Sequence, residues 1–285
     1  MRTFFHSYDE LADMRLIFFI LMSLLSASAQ SESVSLRQSC LNGLKAYKSF
    51  YKEEALDVIC DQVQVLEGCQ SVNGNPIFHM DKLSQLEKPK KILVMSLIHG
   101  DETEAGSLGR YWMERMIKVS PRNSWRMIPV TNPDGVKNKT RTNSRGVDLN
   151  RNFPTKDWQQ DAMNFWEKEA RKSERRFPGK AAGEEPEVKC VIKQIDDFQP
   201  DFVISIHTPL HVLDFDGPKL KKRPNYTYLP WKSLGNFPGS LGRYLWVERN
   251  VPVLTTELKN SLPETAGPFE QLQDLIGTLV KADMK

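Results

Sequence analysis

The stretch Met95-Ser-Leu-Ile-His-Gly-Asp-Glu102 decides the fold, because it joins an apolar segment to a histidine and a glutamate three positions apart. The apolar residues predict a buried strand over residues 91–98, and the residues that follow predict a helix over 102–117. His99 therefore falls at the carboxyl end of a strand, where open α/β sheets place ligands and chemistry. A histidine and a glutamate, joined by a second histidine, form the ligand set of a catalytic zinc that keeps one position open for water.

A polar stretch farther along the chain, from Arg141 to Pro154, contains candidate substrate-binding groups. Arg151 offers a planar set of donors suited to a carboxylate, and Asn150 beside it can donate an amide N–H. Arg141 supplies a fixed positive charge for an oxyanion that develops during a reaction. Asp148 can accept the free ring N–H of a metal-bound histidine. A solvated cluster of salt bridges explains the same stretch when it is considered alone.

Two further apolar strands end in side chains that a metal site needs. Residues 201–207 end in His207, shortly before a proline that stops the strand; a hydrogen-bonded core histidine is the alternative. The stretch Val251-Pro-Val-Leu-Thr-Thr-Glu257 carries a carboxylate near the end of a third strand. An acid in so apolar a segment needs a partner or a chemical role, and general-base catalysis beside a metal-bound water is such a role.

In this order the four stretches resemble the zinc metallocarboxypeptidase family, from about Cys69 to the end of the chain. Within that family the sequence is most similar to the bacterial murein peptide amidases, as in GVDLNRNFP, SIHTPLHVLDFDGP and PGSLGRYLWVERNVPVLTTEL. The resemblance implies one Zn²⁺ per chain, held by His99, Glu102 and His207. It also implies that Glu257 is the catalytic glutamate.

The same resemblance implies roles for the polar stretch. Arg141 matches the arginine that polarises the scissile carbonyl, and Asn150 and Arg151 match the pair that binds the terminal carboxylate of the substrate. Asp148 matches the aspartate behind the first zinc histidine. The sequence departs from the family in two ways. It has no recognisable counterpart of the mobile tyrosine of digestive carboxypeptidases, and its basic region 167–180 has no match and is expected on the rim of the cleft.

The murein peptide amidases hydrolyse the γ-D-glutamyl–meso-diaminopimelate bond of cell-wall peptides, so peptidoglycan peptides are the expected substrate. Diaminopimelate carries a second ammonium at the end of its side chain, and an acid in the pocket would bind it. Asp214 and Asp216, in the segment that follows His207, are the candidates. An Asx-turn in the sequence Asp-Phe-Asp-Gly-Pro explains both aspartates equally well.

The order of the elements predicts an α/β fold, a three-layer αβα arrangement with a mixed central β-sheet like that of zinc carboxypeptidases. Residues 30–285 are expected to form one compact domain, with an N-terminal helix and first strand in 30–70 and the catalytic domain in 71–285. The first strand is predicted over 58–66 and a long helix over 158–171. The segment after the second histidine is expected to be a loop.

The N-terminal residues 1–29 are interpreted as a secretory signal. An apolar run over 16–25 follows Met14-Arg15 and precedes Ala27-Ser-Ala29, a small-residue cleavage site. The run is too short to span a bilayer, which takes about 20 apolar residues. Translation is expected to begin at Met14, and the mature protein is expected to be periplasmic or secreted, without stable membrane insertion.

Export places the four cysteines in an oxidising compartment, where they are expected to form disulfide bonds. The periodicity of the helix over 186–198 predicts that Cys190 points away from its apolar face. Since an exposed free thiol is unusual in a secreted protein, Cys190 is expected to be bridged. The short spacing of Cys60 and Cys69 favours one small loop, which leaves Cys40 for Cys190.

A net charge of +3 over 285 residues, without basic runs interleaved with aromatics, argues against nucleic acid as a partner. The protein is expected to be a monomer. Three other functions fit parts of the pattern: a general metallocarboxypeptidase that removes a C-terminal amino acid, a zinc deacylase of the aspartoacylase kind, and a non-catalytic wall-binding protein. Intact His99, Glu102, His207 and Glu257 argue against the last of these.

Overall fold

The computed structural model describes residues 36–51, 54–220 and 222–281, so the predicted signal over 1–29 lies outside the described residues. In the described part of the chain, six strands form one sheet with the order β1-β3-β2-β4-β6-β5. The strands are β1 (Met80–Lys82), β2 (Lys91–Ser96), β3 (Ser124–Ile128), β4 (Phe202–His207), β5 (Val212–Asp216) and β6 (Val253–Glu257). The four central strands are parallel, while β1 and β5 pair antiparallel at the two edges. The predicted mixed sheet is confirmed.

Helices cover both faces of this sheet. The α-helices are α1 (residues 36–44), α2 (Glu54–Cys60), α3 (Thr103–Met116), α4 (Pro133–Asn138), α5 (Pro186–Phe198) and α6 (Gly267–Lys281). Short 3₁₀ and π segments lie at Leu149–Arg151, Trp158–Ala162, Phe165–Glu169, Glu174–Arg176 and Arg243–Val247.

The alternation of side chains along β2 builds a separate core on each face, as expected for a strand with both faces buried. Ile92 and Val94 pack with α1, α3 and α6, whereas Leu93 and Met95 pack with α5 and the Arg243–Val247 segment. This three-layer arrangement places the carboxyl ends of β2, β4 and β6 side by side.

The strand predicted over residues 58–66 is wrong. Residues 58–60 are the end of α2, whose buried residues Ala55, Leu56, Ile59 and Cys60 follow a helical period. Residues 61–66 form a turn and a loop with one isolated bridge, from Gln64 to His79. Val58, which made the segment look strand-like, is 45% exposed.

The loop predicted after His207 is also wrong, because residues 212–216 form the edge strand β5. The apolar Val212, Leu213 and Phe215 pair with β6 in antiparallel register, although a turn sequence follows them. The helix predicted over 158–171 is present over residues 158–169, where two π-helical segments, Trp158–Ala162 and Phe165–Glu169, are joined by α-helical residues 163–164.

Two disulfide bonds join Cys40 to Cys60 and Cys69 to Cys190, so the predicted pairs were wrong. The reason is the sheet: Cys40 and Cys60 belong to the core on one face, and Cys69 and Cys190 to the core on the other. The prediction that Cys190 is bridged is confirmed, but its side chain is buried in the core rather than turned away from it. Within the described residues, none of the helices has the length and apolar character that crossing a bilayer requires.

Candidate metal centre and substrate cleft

The strand ends bring together three side chains from distant parts of the sequence. His99 lies in the turn after β2, Glu102 directly precedes α3, and His207 is the last residue of β4, the neighbour of β2. Gly100 packs directly against the backbone of Gly135 in α4, and any side chain at position 100 would overlap that backbone. A glycine is therefore required for the turn to hold His99 in this position.

The ligating atoms of His99, Glu102 and His207 converge in a buried space. His99 Nδ1 lies 2.7 Å from Glu102 Oε1, and His207 Nδ1 lies 3.0 Å from Glu102 Oε2. The two Nδ1 atoms are 3.1 Å apart, and all the ligating atoms lie within 4.8 Å of one another. Two imidazoles and one carboxylate that converge in this way suit a divalent ion of the zinc type.

The other ring nitrogen of each histidine has its own partner. His99 Nε2 lies 3.2 Å from Asp148 Oδ1, and His207 Nε2 lies 2.9 Å from Ser205 Oγ. Such contacts fix the ring orientation and leave Nδ1 for a metal. Ser205 was not predicted as part of the site, although its position two residues before His207 on one strand places both side chains on the same face.

The buried carboxylates of Asp148 and Glu102 are stabilised by nearby cationic and imidazole groups. Burial acts to raise the pKa of Asp148, but the Arg141 guanidinium and His99 hold that pKa far below its usual range. Burial likewise opposes the charge of Glu102, and the two histidines lower its pKa in spite of it. Both carboxylates are therefore ionised, as a metal centre needs.

Arg141 lies against this group. Its Nε donates to Asp148 Oδ2 at 3.0 Å, and its Nη1 is 3.8 Å from Glu102 Oε1. Because Asp148 contacts both Arg141 and His99, one carboxylate orients the cation and the candidate ligand together.

Asn150 and Arg151 occupy the 3₁₀ turn that Asp148 caps. Asn150 Oδ1 accepts from the Leu241 backbone N–H at 2.9 Å, which fixes the orientation of the amide. Arg151 stacks on Phe237, with its guanidinium carbon 4.6 Å from the ring centre. Burial, with the nearby cations Arg141 and Arg176, lowers the pKa of Arg151, and its buried Nε has no hydrogen-bond partner among the described residues. An anion would stabilise this side chain.

Glu257 ends β6 directly beside His207, its register partner on β4. The side chain is only 8% exposed, and its Oε2 accepts from the Leu210 backbone N–H at 3.2 Å. Glu257 lines the same cavity as His99 and His207.

That cavity has a volume of about 620 Å³ and also contains Arg141, Asn150, Arg151, Asp214 and Asp216. The two aspartates lie in β5 rather than in an Asx-turn, and their spacing of two residues points both side chains to one face. Burial and the neighbouring Asp214 raise the pKa of Asp216 to about 6. A cavity of about 800 Å³ between the ends of α3 and α6 is larger, but no histidine lines it.

The basic region 167–180 forms one wall of the cleft. It lines the cavity itself, whereas it was expected only on the rim. Its residues in the cavity lining are Glu169, Ala170, Arg171, Ser173, Arg175 and Arg176. No tyrosine lines the cavity within the described residues. The place of this wall in the cavity lining could not be predicted beyond the rim position, because its basic residues look like a solvated helix face.

Three ligating atoms at the ends of parallel strands, with a carboxylate and two arginines in one cavity, define a metal-dependent hydrolase built on an α/β sheet. Residues 55–227 match the family described as zinc carboxypeptidase, peptidase M14. The chain belongs to the zinc carboxypeptidase family and is a hydrolase of the metallopeptidase class. The match includes His99, Glu102 and His207 and ends before Glu257.

Two relatives agree with this family, and a solved structure shares the fold. The chain is 30% identical over 198 residues to murein peptide amidase A of Vibrio campbellii, covering 66% of this chain and 77% of that protein. It is 30% identical over 124 residues to murein peptide amidase A of Escherichia coli K12, covering 43% of this chain and half (50%) of that protein. The structure of murein-tripeptide amidase from Escherichia coli O157 matches 78% of this chain and 91% of that chain, with a TM-score of 0.54 and 20% identity.

Proposed function

We propose that the protein is a zinc-dependent amidase that hydrolyses the γ-D-glutamyl–meso-diaminopimelate bond of peptidoglycan peptides. One observation carries the proposal: a single cavity is lined by His99 and His207, which converge with the buried Glu102, and by a buried arginine and a pair of aspartates. The relatives named murein peptide amidase A support the same substrate class.

His99, Glu102 and His207 would hold one Zn²⁺, and their buried, converging atoms fit that ion. A zinc ion in such a site lowers the pKa of a bound water and polarises a carbonyl oxygen. Asp148 and Ser205 contribute by fixing the two imidazole rings.

Glu257 is proposed as the general base. It accepts a proton from the attacking water and delivers it to the departing amine, which restores the carboxylate for the next cycle. Arg141 faces the oxyanion that forms on the substrate carbonyl, and Asp148 holds the guanidinium in place.

Arg151 and Asn150 are proposed to bind the carboxylate of the residue that is released. The guanidinium is buried, stacked on Phe237 and without sufficient anionic partners of its own. Such a contact makes the enzyme act next to a free carboxylate. Asp214 and Asp216 are proposed to bind the distal ammonium of diaminopimelate, since both carboxylates line the cavity.

The test is digestion of purified muropeptides by the protein without residues 1–29, followed by mass spectrometry. Release of diaminopimelate-containing products is expected, chelation should abolish it, and added Zn²⁺ should restore it. Peptides ending in lysine or phenylalanine, and N-acylated amino acids, serve as competing substrates. Faster hydrolysis of any of these would replace the proposal by a carboxypeptidase or a deacylase. Absence of zinc in the purified protein, measured by elemental analysis, would favour a wall-binding role.

We also propose that the mature protein is a monomer in the periplasm or outside the cell. Two disulfide bonds within the described residues suit an oxidising compartment, and one chain supplies every proposed ligand. N-terminal sequencing of the exported protein, with its mass in solution, tests both points.

A further inference from the structure

The substrate cleft continues into a second cavity on the far side of Arg141. This cavity has a volume of about 580 Å³ and is lined by residues that include Lys139, Trp166, Glu174 and Phe177. Arg141 and Arg175 line both cavities, whereas Asn150 and Arg151 line only the first. The second cavity is therefore the part of the cleft away from the proposed carboxylate pair, on the acyl side of the scissile bond.

Arg175 is held beside the metal-binding group by an ion pair. It lies in the 3₁₀ segment Glu174–Arg176, and its Nη2 is 2.7 Å from Asp101 Oδ2. Asp101 stands in the turn between His99 and Glu102. This contact uses one of the five guanidinium N–H donors, so the rest of the group can bind a ligand.

The second cavity is suited to an anion. Its lining contains three cationic side chains, those of Lys139, Arg141 and Arg175, and one carboxylate, that of Glu174. Asp148 and Asp101, which pair with the two arginines, are outside that lining. Asp101, which pairs with Arg175, lines neither cavity, so it positions the guanidinium without contacting a ligand there. Next to the proposed position of the reacting carbonyl, Arg175 thus presents a cation that Asp101 holds in place.

A γ-linked glutamyl residue matches this cation. Its α-carboxylate stays free and lies a few carbon atoms from the scissile carbonyl, while its α-nitrogen carries an N–H. An α-linked residue offers no carboxylate at that place. We propose that Arg175 binds the α-carboxylate of the γ-glutamyl residue and that this contact selects γ-linked substrates; the inference rests on the proposed function.

The other arginines of the same wall do not meet this description. Arg171 and Arg176 line only the first cavity, and the charge of Arg176 acts on Arg151. Arg175 is therefore a specificity-determining residue, while the proposed catalytic groups are Glu257 and Arg141.

The experiment compares wild type with Arg175→Gln on two tripeptides, L-Ala-γ-D-Glu-meso-diaminopimelate and its analogue with an α-carboxamide in place of the α-carboxylate. A hydrogen bond to a charged group predicts a wild-type preference of roughly tenfold in kcat/KM for the carboxylate form. Arg175→Gln should lose that preference and keep its activity on the carboxamide. Lys172→Gln removes a nearby exposed cation outside both cavities, so this variant should keep the wild-type preference for the carboxylate form.

Two results would overturn the inference: a wild type without preference, or an Arg175→Gln enzyme that loses activity equally on both peptides. Retained activity on the carboxamide also shows that the variant is folded. If the wild type cleaves neither tripeptide, the proposed function fails and the inference fails with it. That outcome differs from the first two, in which the γ-glutamyl bond is cleaved.

Discussion

His207 and Glu257 are register partners on the neighbouring parallel strands β4 and β6. The backbone N–H of Leu258 donates to the His207 carbonyl at 2.8 Å, which continues the ladder beyond the last paired residues. A candidate ligand and a candidate base 50 positions apart in sequence are thus held by main-chain hydrogen bonds. Their separation is a property of the sheet and does not depend on loop conformation.

Glu257→Gln should lower kcat by about 10²–10⁴-fold, the usual contribution of a general base. The amide keeps the size of the side chain and the Leu210 contact but cannot accept the proton from water. KM and zinc content should change little. Glu264→Gln, at an exposed position, is the matched control. Retention of wild-type kcat by Glu257→Gln would assign the base to another group.

Arg141→Ala should lower kcat by about 10²–10³-fold, because an oxyanion donor contributes mainly in the transition state. Steady-state kinetics with the tripeptide separate kcat from KM. Arg145→Ala removes a guanidinium nearby that pairs with Glu185 and lies outside the cavity, so its kinetics should match wild type. A change confined to KM in Arg141→Ala would show that the arginine only binds the substrate.

The parts of the site that lie on strands could be predicted from the sequence. His99, His207 and Glu257 each follow an apolar run, and parallel strands place their carboxyl ends at one edge of the sheet. The alternation of strands and helices along the chain predicted a three-layer fold. These features depend on local periodicity, which a single sequence carries.

The features that could not be predicted depend on contacts between remote segments. The cysteine pairs follow from which face of the sheet each helix covers, and spacing along the chain does not contain that information. Ser205 and Arg175 are polar residues whose roles come from what lies across from them, His207 and Asp101. The edge strand β5 was hidden by the turn sequence at its end.

Removing the Cys69–Cys190 bond should destabilise the protein more than removing Cys40–Cys60. The two bonds close loops with sequence separations of 121 and 20, and the longer loop restricts the unfolded chain more. Loop entropy predicts a difference of about 1–2 kcal/mol in the free energy of unfolding. Denaturant unfolding of the two double Cys→Ala variants measures it. A larger loss in the Cys40→Ala/Cys60→Ala protein would contradict the prediction.

The pH dependence of substrate binding should report Asp216. Burial, then the charge of Asp214, raises the pKa of Asp216 to about 6. The side chain is therefore neutral below that pH and anionic above it, so affinity for the distal ammonium should rise as pH increases through 6. We expect kcat/KM for the diaminopimelate tripeptide to fall up to about tenfold per pH unit below that value.

Asp216→Asn should flatten this part of the profile, and so should a tripeptide with norleucine in place of diaminopimelate. Ionisation of Asp216 has the opposite effect on folding stability, which should fall as pH rises. Because the pKa of the folded state lies above the ordinary value of 3.8, ionisation of Asp216 costs stability as pH rises from about 4 to 6. Asp216→Asn should remove that loss, which thermal unfolding across the same pH range measures. Identical profiles for Asp216→Asn and wild type on both substrates would exclude this carboxylate from ammonium binding, because a group with a pKa in this range must titrate there.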